Sequence, residues 1–417
     1  MSKVLVDSGI KWIGFLPNTW SITTVNKLFY RRKEINDSKD PTILSLARDG
    51  VKIRDISTNE GQLAESYDNY HKVYKGDLLI NPMDLISGAN CSLSEVAGVI
   101  SPAYINLAKK TNIYPKYYDY FFKYQYWIKA MFIHGKGVSF DNRWTINWET
   151  MASYKVPYPK YNEQKRIADY LNKKCSKIDE IIKDNNKEIE LLEEYKESLI
   201  ENTVKCYNNS PIEKNIEWII KCDNSVKLSR IKYNCLVTTG TTPKGYEKND
   251  SKDKINWFTP GDFKSINLYS SNRKLDCDLI PENKMYPEKS TLIIGIGGTL
   301  GKVGIVNSKS YSNQQITALI GNEKIIPKYL TYNILSAQKY IKDTCPYTTL
   351  PILSNSYLKN ILICMRNKTG QNKIVEYLDK QCSKLDEVIG YRKQIIEKLE
   401  EYKKSLIYEC VTGKREV

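Results

Sequence analysis

The sequence predicts an α+β chain built as two tandem halves, each a mixed domain followed by a long helix, with the two helices pairing antiparallel as a coiled-coil-like spacer. Three observations predict it. Residues 164–204 read QKRIADYLNKKCSKIDEIIKDNNKEIELLEEYKESLIENTV and residues 371–411 read QNKIVEYLDKQCSKLDEVIGYRKQIIEKLEEYKKSLIYECV; they align without a gap at an offset of 207, about half of the positions identical. The repeat reaches upstream, where Trp12-Ile13 recurs as Trp218-Ile219 at an offset of 206. Positive charge is confined to the stretches between the repeated segments. A period this long marks a duplicated domain, not a solenoid. The expected divisions are residues 1–160, 161–210, 211–370 and 371–417.

The first domain reads as short strands with turn residues. KGDLLINPMD (residues 75–84) predicts a strand entered by a Gly-Asp turn, and AGVISPAYINL (97–107) a strand pair. PKYYDYFFKYQYWIKAMF (115–132) opens on Pro at a helix start and predicts a helix. The second domain keeps this order with different residues. STLIIGIGGTLGKVGIV (290–306) predicts two strands around a Gly-rich turn, NQQITALI (313–320) a third, and PKYLTYNILSAQKYIK, from Pro327, the matching helix.

The repeated segments lack Pro and carry apolar residues at spacings of three and four, which place them on one helix face. The stripe runs Ile167, Leu171, Cys175, Ile178, Ile182, Asn185, Ile189, Leu192, Tyr195, Leu199, and again Ile374, Leu378, Cys382, Leu385, Ile389, Arg392, Ile396, Leu399, Tyr402, Leu406. A helix of about 40 residues is about 60 Å long and cannot bury such a stripe alone. Its copy is the natural partner, with Asn185 and Arg392 as polar residues near the midpoints of the seam, where a polar group can fix register. Cys175 and Cys382 read as small core residues.

The formal charge of +15 divides as +6 over residues 1–160, −2 over 161–210, +10 over 211–370 and +1 over 371–417. Two basic domains joined by near-neutral helices fit two phosphate-binding surfaces. The hydrophobic share of 41% supplies packed cores and excludes disorder throughout.

Several chemistries lack their residues. The ten Cys form no CxxC pair, and His71 and His134 are the only histidines, so no Cys/His metal site is expected. The run from Gly295 to Gly301 is neither GxGxxG nor a P-loop, because Ile296 stands where the first Gly should be and Val303 where Ser or Thr is needed. NPMD (81–84) lacks the aromatic of an adenine-methyltransferase tetrapeptide. PGDFK (260–264) is a fragment of a nuclease carboxylate set. No signal-peptide run and no membrane-length apolar run occur, and free thiols fit a reducing cytoplasm.

SGIKWIGFLPNTW (8–20), GDLL with SPAY in the first half, TGTTPKG (239–245) with NQQ in the second, EQKRIADYL after YPK, and the C-terminal VTGK (411–414) together resemble the specificity subunits of type I restriction-modification enzymes, across essentially the whole chain. The resemblance implies two tandem target-recognition domains, each reading one half of a bipartite, asymmetric site in double-stranded DNA. It implies helices that set the gap between half-sites and dock two methylation subunits, and a restriction motor-nuclease subunit that joins them. It implies no catalysis and no cofactor on this chain, with S-adenosylmethionine, ATP and Mg²⁺ on the partner subunits. The rival readings are a coiled-coil protein-interaction scaffold and a DNA methyltransferase or nuclease with fused recognition domains. Side chains able to reach base edges or phosphates in polar loops are Lys52, Arg54, Asn81, Asn90 and Arg143 in the first half, and Thr241, Lys244, Lys302, Asn313, Gln314 and Gln315 in the second.

Overall fold

The computed structural model describes residues 4–47, 50–55, 64, 66–83, 85, 91–137, 144–207, 211–244, 254–346 and 351–417. They form two compact units: residues 1–185 with 394–417, and residues 186–393. The division falls inside both long helices, so each unit holds a stretch of each.

In the first unit a hairpin (Leu5–Asp7 with Phe15–Pro17) leads to Ser21–Thr24, which pairs antiparallel with Lys155–Tyr158. A four-stranded antiparallel sheet follows, in the order Phe29–Arg31, Ile105–Lys109, Leu78–Ile80, Cys91–Leu93. Its strand Leu78–Ile80 is buried on both faces. Leu78 and Ile80 enter the main core while Leu79 joins a second cluster with Leu44, Leu46, Val73 and Ile100. That double burial is why the strand reads as an unbroken apolar run rather than an alternation. The helix Pro115–Trp127 lays Tyr117, Tyr118, Phe121, Phe122 and Tyr126 into the main core. It stops short of the expected Phe132: Lys129 takes a left-handed φ of 55°, and Phe132–His134 forms a separate 3-10 turn.

The second unit repeats the plan. Pro211–Ile216 pairs with Ile219–Asp223, and Lys227–Arg230 with Leu362–Met365. A five-stranded sheet runs Cys235–Thr239, Ile316–Gly321, Thr291–Ile294, Val303–Val306, Asn267–Leu268. Again one strand feeds two cores, Ile293 one way and Leu292 and Ile294 the other. The helical run from Pro327 divides into Pro327–Ser336 and Gln338–Thr344.

The duplication holds bond by bond. Leu5 faces Pro17 as Pro211 faces Asp223, and Trp12 Nε1 donates to the Lys155 carbonyl as Trp218 Nε1 donates to that of Leu362. Gln164 and Gln371, both fully buried, each accept from the backbone N–H before a helix-opening proline (Tyr114 and Ile326) and donate to the preceding loop carbonyls of Pro159 and Arg366. Tyr120 and Tyr332 hydrogen-bond Asn172 and Asp379 at equivalent helix positions.

The long helices are Tyr161–Cys206 and Lys368–Val411, 46 and 44 residues. Within each unit their stretches run antiparallel. In the first, Ile167, Leu171, Cys175 and Ile178 share the core with Leu406, Ile407, Cys410 and Val411, and Lys403 Nζ lies 2.5 Å from Asp179. In the second, Lys196 Nζ lies 2.5 Å from Asp386, the equivalent pair with the two helices exchanged, and Tyr207 packs on Tyr377. The C-terminal helix ends because Gly413 adopts φ +70°, and any Cβ there would strike Pro17.

The seam follows the expected stripe with one correction. Ile178, Asn185, Ile189 and Ile389 are buried, and Ile182, Leu192, Leu385, Arg392, Ile396 and Leu399 half-buried, because two helices leave both flanks of a seam open. Tyr195 and Tyr402, however, are 58% and 47% exposed, and Ile200 and Ile407 are buried instead. A stripe stepping at threes and fours drifts around a straight helix by about 20° per heptad, which carries these tyrosines off the seam. Asn185 donates back to the Ile181 carbonyl, and Arg392 pairs with Glu188 on the neighbouring helix. Burial raises the Cys175 thiol to about 11 and also raises that of Cys382, consistent with core residues rather than reactive thiols. Lys403→Ala and Lys196→Ala are expected to cost under about 1 kcal/mol each in denaturant melts, since solvent-accessible ion pairs contribute little.

Candidate nucleic-acid interface

In the second unit the two sequence-flagged loops meet. The Thr241 N–H donates to the Ser312 carbonyl (3.0 Å), Gly240 N–H to Ile316 (3.0 Å), and Thr242 Oγ1 to Gln314 Oε1 (2.8 Å). Gly240 permits this approach: a Cβ there would lie 2.1 Å from the Ser312 oxygen. The Gly-rich turn after Thr291–Ile294 joins the same surface, Gly295 N–H donating to the Gln315 carbonyl (2.7 Å). Thr239 and Thr317 both donate to Asn355 Oδ1. Lys244 and Lys302 stand exposed on the loops involved. Of the expected residues, Thr241, Lys244, Gln314 and Gln315 thus belong to one polar surface, with Lys302 at the end of its Gly-rich turn. Asn313 is the exception to the expected role of presenting a free amide: it is buried, its Oδ1 accepting from Gln315 N and its Nδ2 donating to Gln315 Oε1.

In the first unit the strand Ile105–Lys109 occupies the place of Ile316–Gly321, Lys109 facing Phe29 as Gly321 faces Cys235, which sets Ser101, Pro102 and Ala103 where Asn313, Gln314 and Gln315 stand in the second. The amide-rich loop is therefore replaced by one without carboxamides. Lys52 is exposed on the strand Gly50–Ile53, and Arg54 follows it, half-buried. Asn81 departs from the expected free polar group: it is buried, its side-chain oxygen accepts from Met83 N, and its carbonyl takes the Tyr126 hydroxyl. Asn90 and Arg143 lie outside the described residues.

The fragments weighed for catalysis have other work. Both carboxylate oxygens of Asp262 are engaged by backbone N–H groups, of Thr259 (2.7 Å) and Asn272 (2.8 Å), stapling a turn. His134 packs edge-on against Trp12 and Tyr154, and burial lowers its pKa; His71 sits in a strand, also lowered by burial and then by Arg31 and Lys33. Among the described residues no group of three or more His, Cys, Asp or Glu is arranged to hold a metal, and no helix is long and apolar enough to cross a membrane.

One fold used twice, with unlike loop surfaces at the same place, defines a duplicated recognition protein. The chain belongs to the type I restriction modification DNA specificity domain family, whose profile matches residues 63–191 and 226–401. It is similar to the type I restriction enzyme MjaIX specificity subunit of Methanocaldococcus jannaschii, 27% identical over 173 residues, which are 39% of each chain. A second relative from that organism, 24% identical over 287 residues, is matched over 62% of its length and 66% of this chain. The chain thus spans less than two thirds of the curated relatives it matches. In fold it is similar to a chain from the structure on complex assembly and conformational transition of the type I R-M system, at a TM-score of 0.72 and 12% identity, covering 96% of this chain and 99% of the other. It is also similar to the HsdS subunit from Thermoanaerobacter tengcongensis, at a TM-score of 0.50 and 13% identity, covering 96% and 98%. The family match favours the specificity reading over the scaffold and fused-enzyme readings.

Proposed function

We propose that this chain is the DNA-reading subunit of a type I restriction-modification complex, each unit reading one half of a bipartite site. The observation that carries the reading is the pairing of one fold with two unlike loop surfaces, since two copies reading the same bases would have no reason to differ there. The net charges of +6 and +10 on the two domains supply sequence-independent attraction to phosphate.

The helices support two copies of one partner. Lys173, Ser176, Lys177 and Glu180, with Glu401, Tyr402 and Ser405, are exposed in the first unit; their exposed counterparts in the second, Lys380, Ser383, Lys384 and Glu387 with Glu194, Tyr195 and Ser198, are identical residue for residue. Exposure alone does not hold a residue type, and the mid-helix positions on the same face have diverged: Asp184, Lys187 and Leu191 against Tyr391, Gln394 and Lys398. Two equal surfaces fit two methylation subunits, and the paired helices serve as the ruler for the unread gap. Restriction subunits join that assembly in the cytoplasm. S-adenosylmethionine, ATP and Mg²⁺ are assigned to the partners, and this chain contributes recognition without catalysis.

The test measures binding of the assembled chain and methylation subunits to duplexes whose half-sites are held constant while the gap varies. Affinity is expected to drop steeply when one base pair is added to the preferred gap, and to fall with salt. Methyl transfer or cleavage by the isolated chain, or indifference to gap length, would overturn the reading.

A further inference from the structure

We propose that Gln314 and Gln315 are the base-reading side chains of the second unit, and that they read acceptor-bearing edges, guanine first. This rests on the DNA-reading function proposed above and assigns the chemistry of one half-site.

The two carboxamides are held in one orientation by their own loop. Gln314 Oε1 accepts from Thr242 Oγ1 at 2.8 Å, and Gln315 Oε1 from Asn313 Nδ2 at 3.0 Å. Asn313 is itself fastened by accepting from Gln315 N, and Thr241 N–H ties the neighbouring loop to Ser312. Each oxygen is thus engaged, whereas among the described residues neither Nε2 has a partner. The face is one of N–H donors on a pre-ordered platform, so little rotamer freedom remains to be lost on binding. Gln315 runs beside the Gly-rich turn, where the position a Gly297 Cβ would take is 4.0 Å from its Nε2 and Gly298 has open space. The absence of side chains at Gly297 and Gly298 leaves room for another backbone or a base edge to come close. Lys244 and Lys302, both exposed on the loops around the amides, supply cations for the flanking phosphates.

In the major groove guanine offers two acceptors, N7 and O6, whereas the cytosine edge offers an amino donor. Paired amide donors with engaged oxygens match guanine and oppose cytosine. The first unit carries Pro102 and Ala103 at these places and has no such pair, so the preference belongs to one half-site only.

The experiment uses the complete complex and a duplex pool randomised at both half-sites, with wild type, Gln314→Glu and Gln315→Glu compared by sequencing of bound DNA. Each substitution keeps the shape and the oxygen that accepts from Thr242 or Asn313, and replaces the outward donor by an acceptor. Wild type is expected to select guanine at one or more positions of one half-site. The variants are expected to lose that preference about tenfold to a hundredfold and move toward cytosine, which donates to a carboxylate, with the other half-site unchanged. Thr242→Val, which frees Gln314 to rotate, is expected to blur the same position with the fold intact by circular dichroism. A bipartite motif identical in wild type and both variants, or a change confined to the other half-site, overturns this inference and leaves the proposed function standing. Failure of wild type to select any bipartite motif overturns both.

Discussion

Asp223→Ala is expected to destabilise the second unit by about 3–5 kcal/mol, because it strands a buried guanidinium. Asp223 and Arg366 have side chains only 2% and 4% exposed, and Arg366 donates to both carboxylate oxygens, NH1 at 2.9 Å and NH2 at 2.6 Å. The same NH2 reaches the carbonyls of Val204 (3.3 Å) and Lys205 (3.2 Å), so the pair also satisfies acceptors at the end of the central helix. Without the carboxylate the charge keeps its desolvation cost and loses its counter-ion. Denaturant melts of the full chain measure the loss, and a loss below about 1 kcal/mol would contradict a tightly coupled pair. The first unit shows that the junction does not need the charges: the equivalent positions are Pro17 and Pro159, and Pro17 packs against the helix end at Gly413. Asp223→Leu with Arg366→Met should therefore recover most of the stability lost by the single substitution.

The second large effect concerns partner number. On the proposed reading, Tyr402→Glu removes an exposed aromatic from one docking surface and Tyr195→Glu the same residue from the other. Each is expected to weaken one docking event by about 2–4 kcal/mol, the usual range for an aromatic anchor. Native mass spectrometry of chain mixed with methylation subunit should then show a 2:1 complex reduced to 1:1 by either change and dissociated by both. Tyr391→Glu, at a position where the two copies differ, should leave the 2:1 complex intact. Equal loss from Tyr391→Glu would argue that any charge change on the helices disturbs assembly, and would remove the support drawn from the repeated surface.

Much of the architecture was legible before any coordinate. The repeat announced two like halves, and the threes and fours of residues 164–204 and 371–411 announced helices with one apolar face. The prolines at 115 and 327 marked helix starts, since proline is suited to a first turn and forbidden later. The strands at Leu78–Ile80 and Thr291–Ile294 were visible as short apolar runs bounded by turn residues. Tyr195 and Tyr402 were misplaced because spacing specifies a stripe only to within the drift of the helix, and Tyr-Lys and Leu-Ile neighbours leave two ways to continue it.

The candidate interface was legible only as parts. TGTTPK and NQQ stood out as polar runs some seventy residues apart, and nothing in either says that Thr242 will hold Gln314. Asn81 and Asn313 looked like free polar loop residues, but the fold closes each into a turn that uses its amide. Gln164 and Gln371 sat inside the repeat without distinction, yet both are buried staples.

By itself, then, the amino-acid order determined the duplication, the two rods with their apolar faces, and the confinement of positive charge to the domains, because these are periodic or additive properties that neighbouring residues express locally. Tertiary structure alone decided which loops meet, which amides are spent inside and which face outward, and that an ion pair, Asp223 with Arg366, closes in one unit at the places that Pro17 and Pro159 hold in the other. Those outcomes depend on contacts between residues far apart in the chain, whose partners are chosen only when the sheets close and the cores pack.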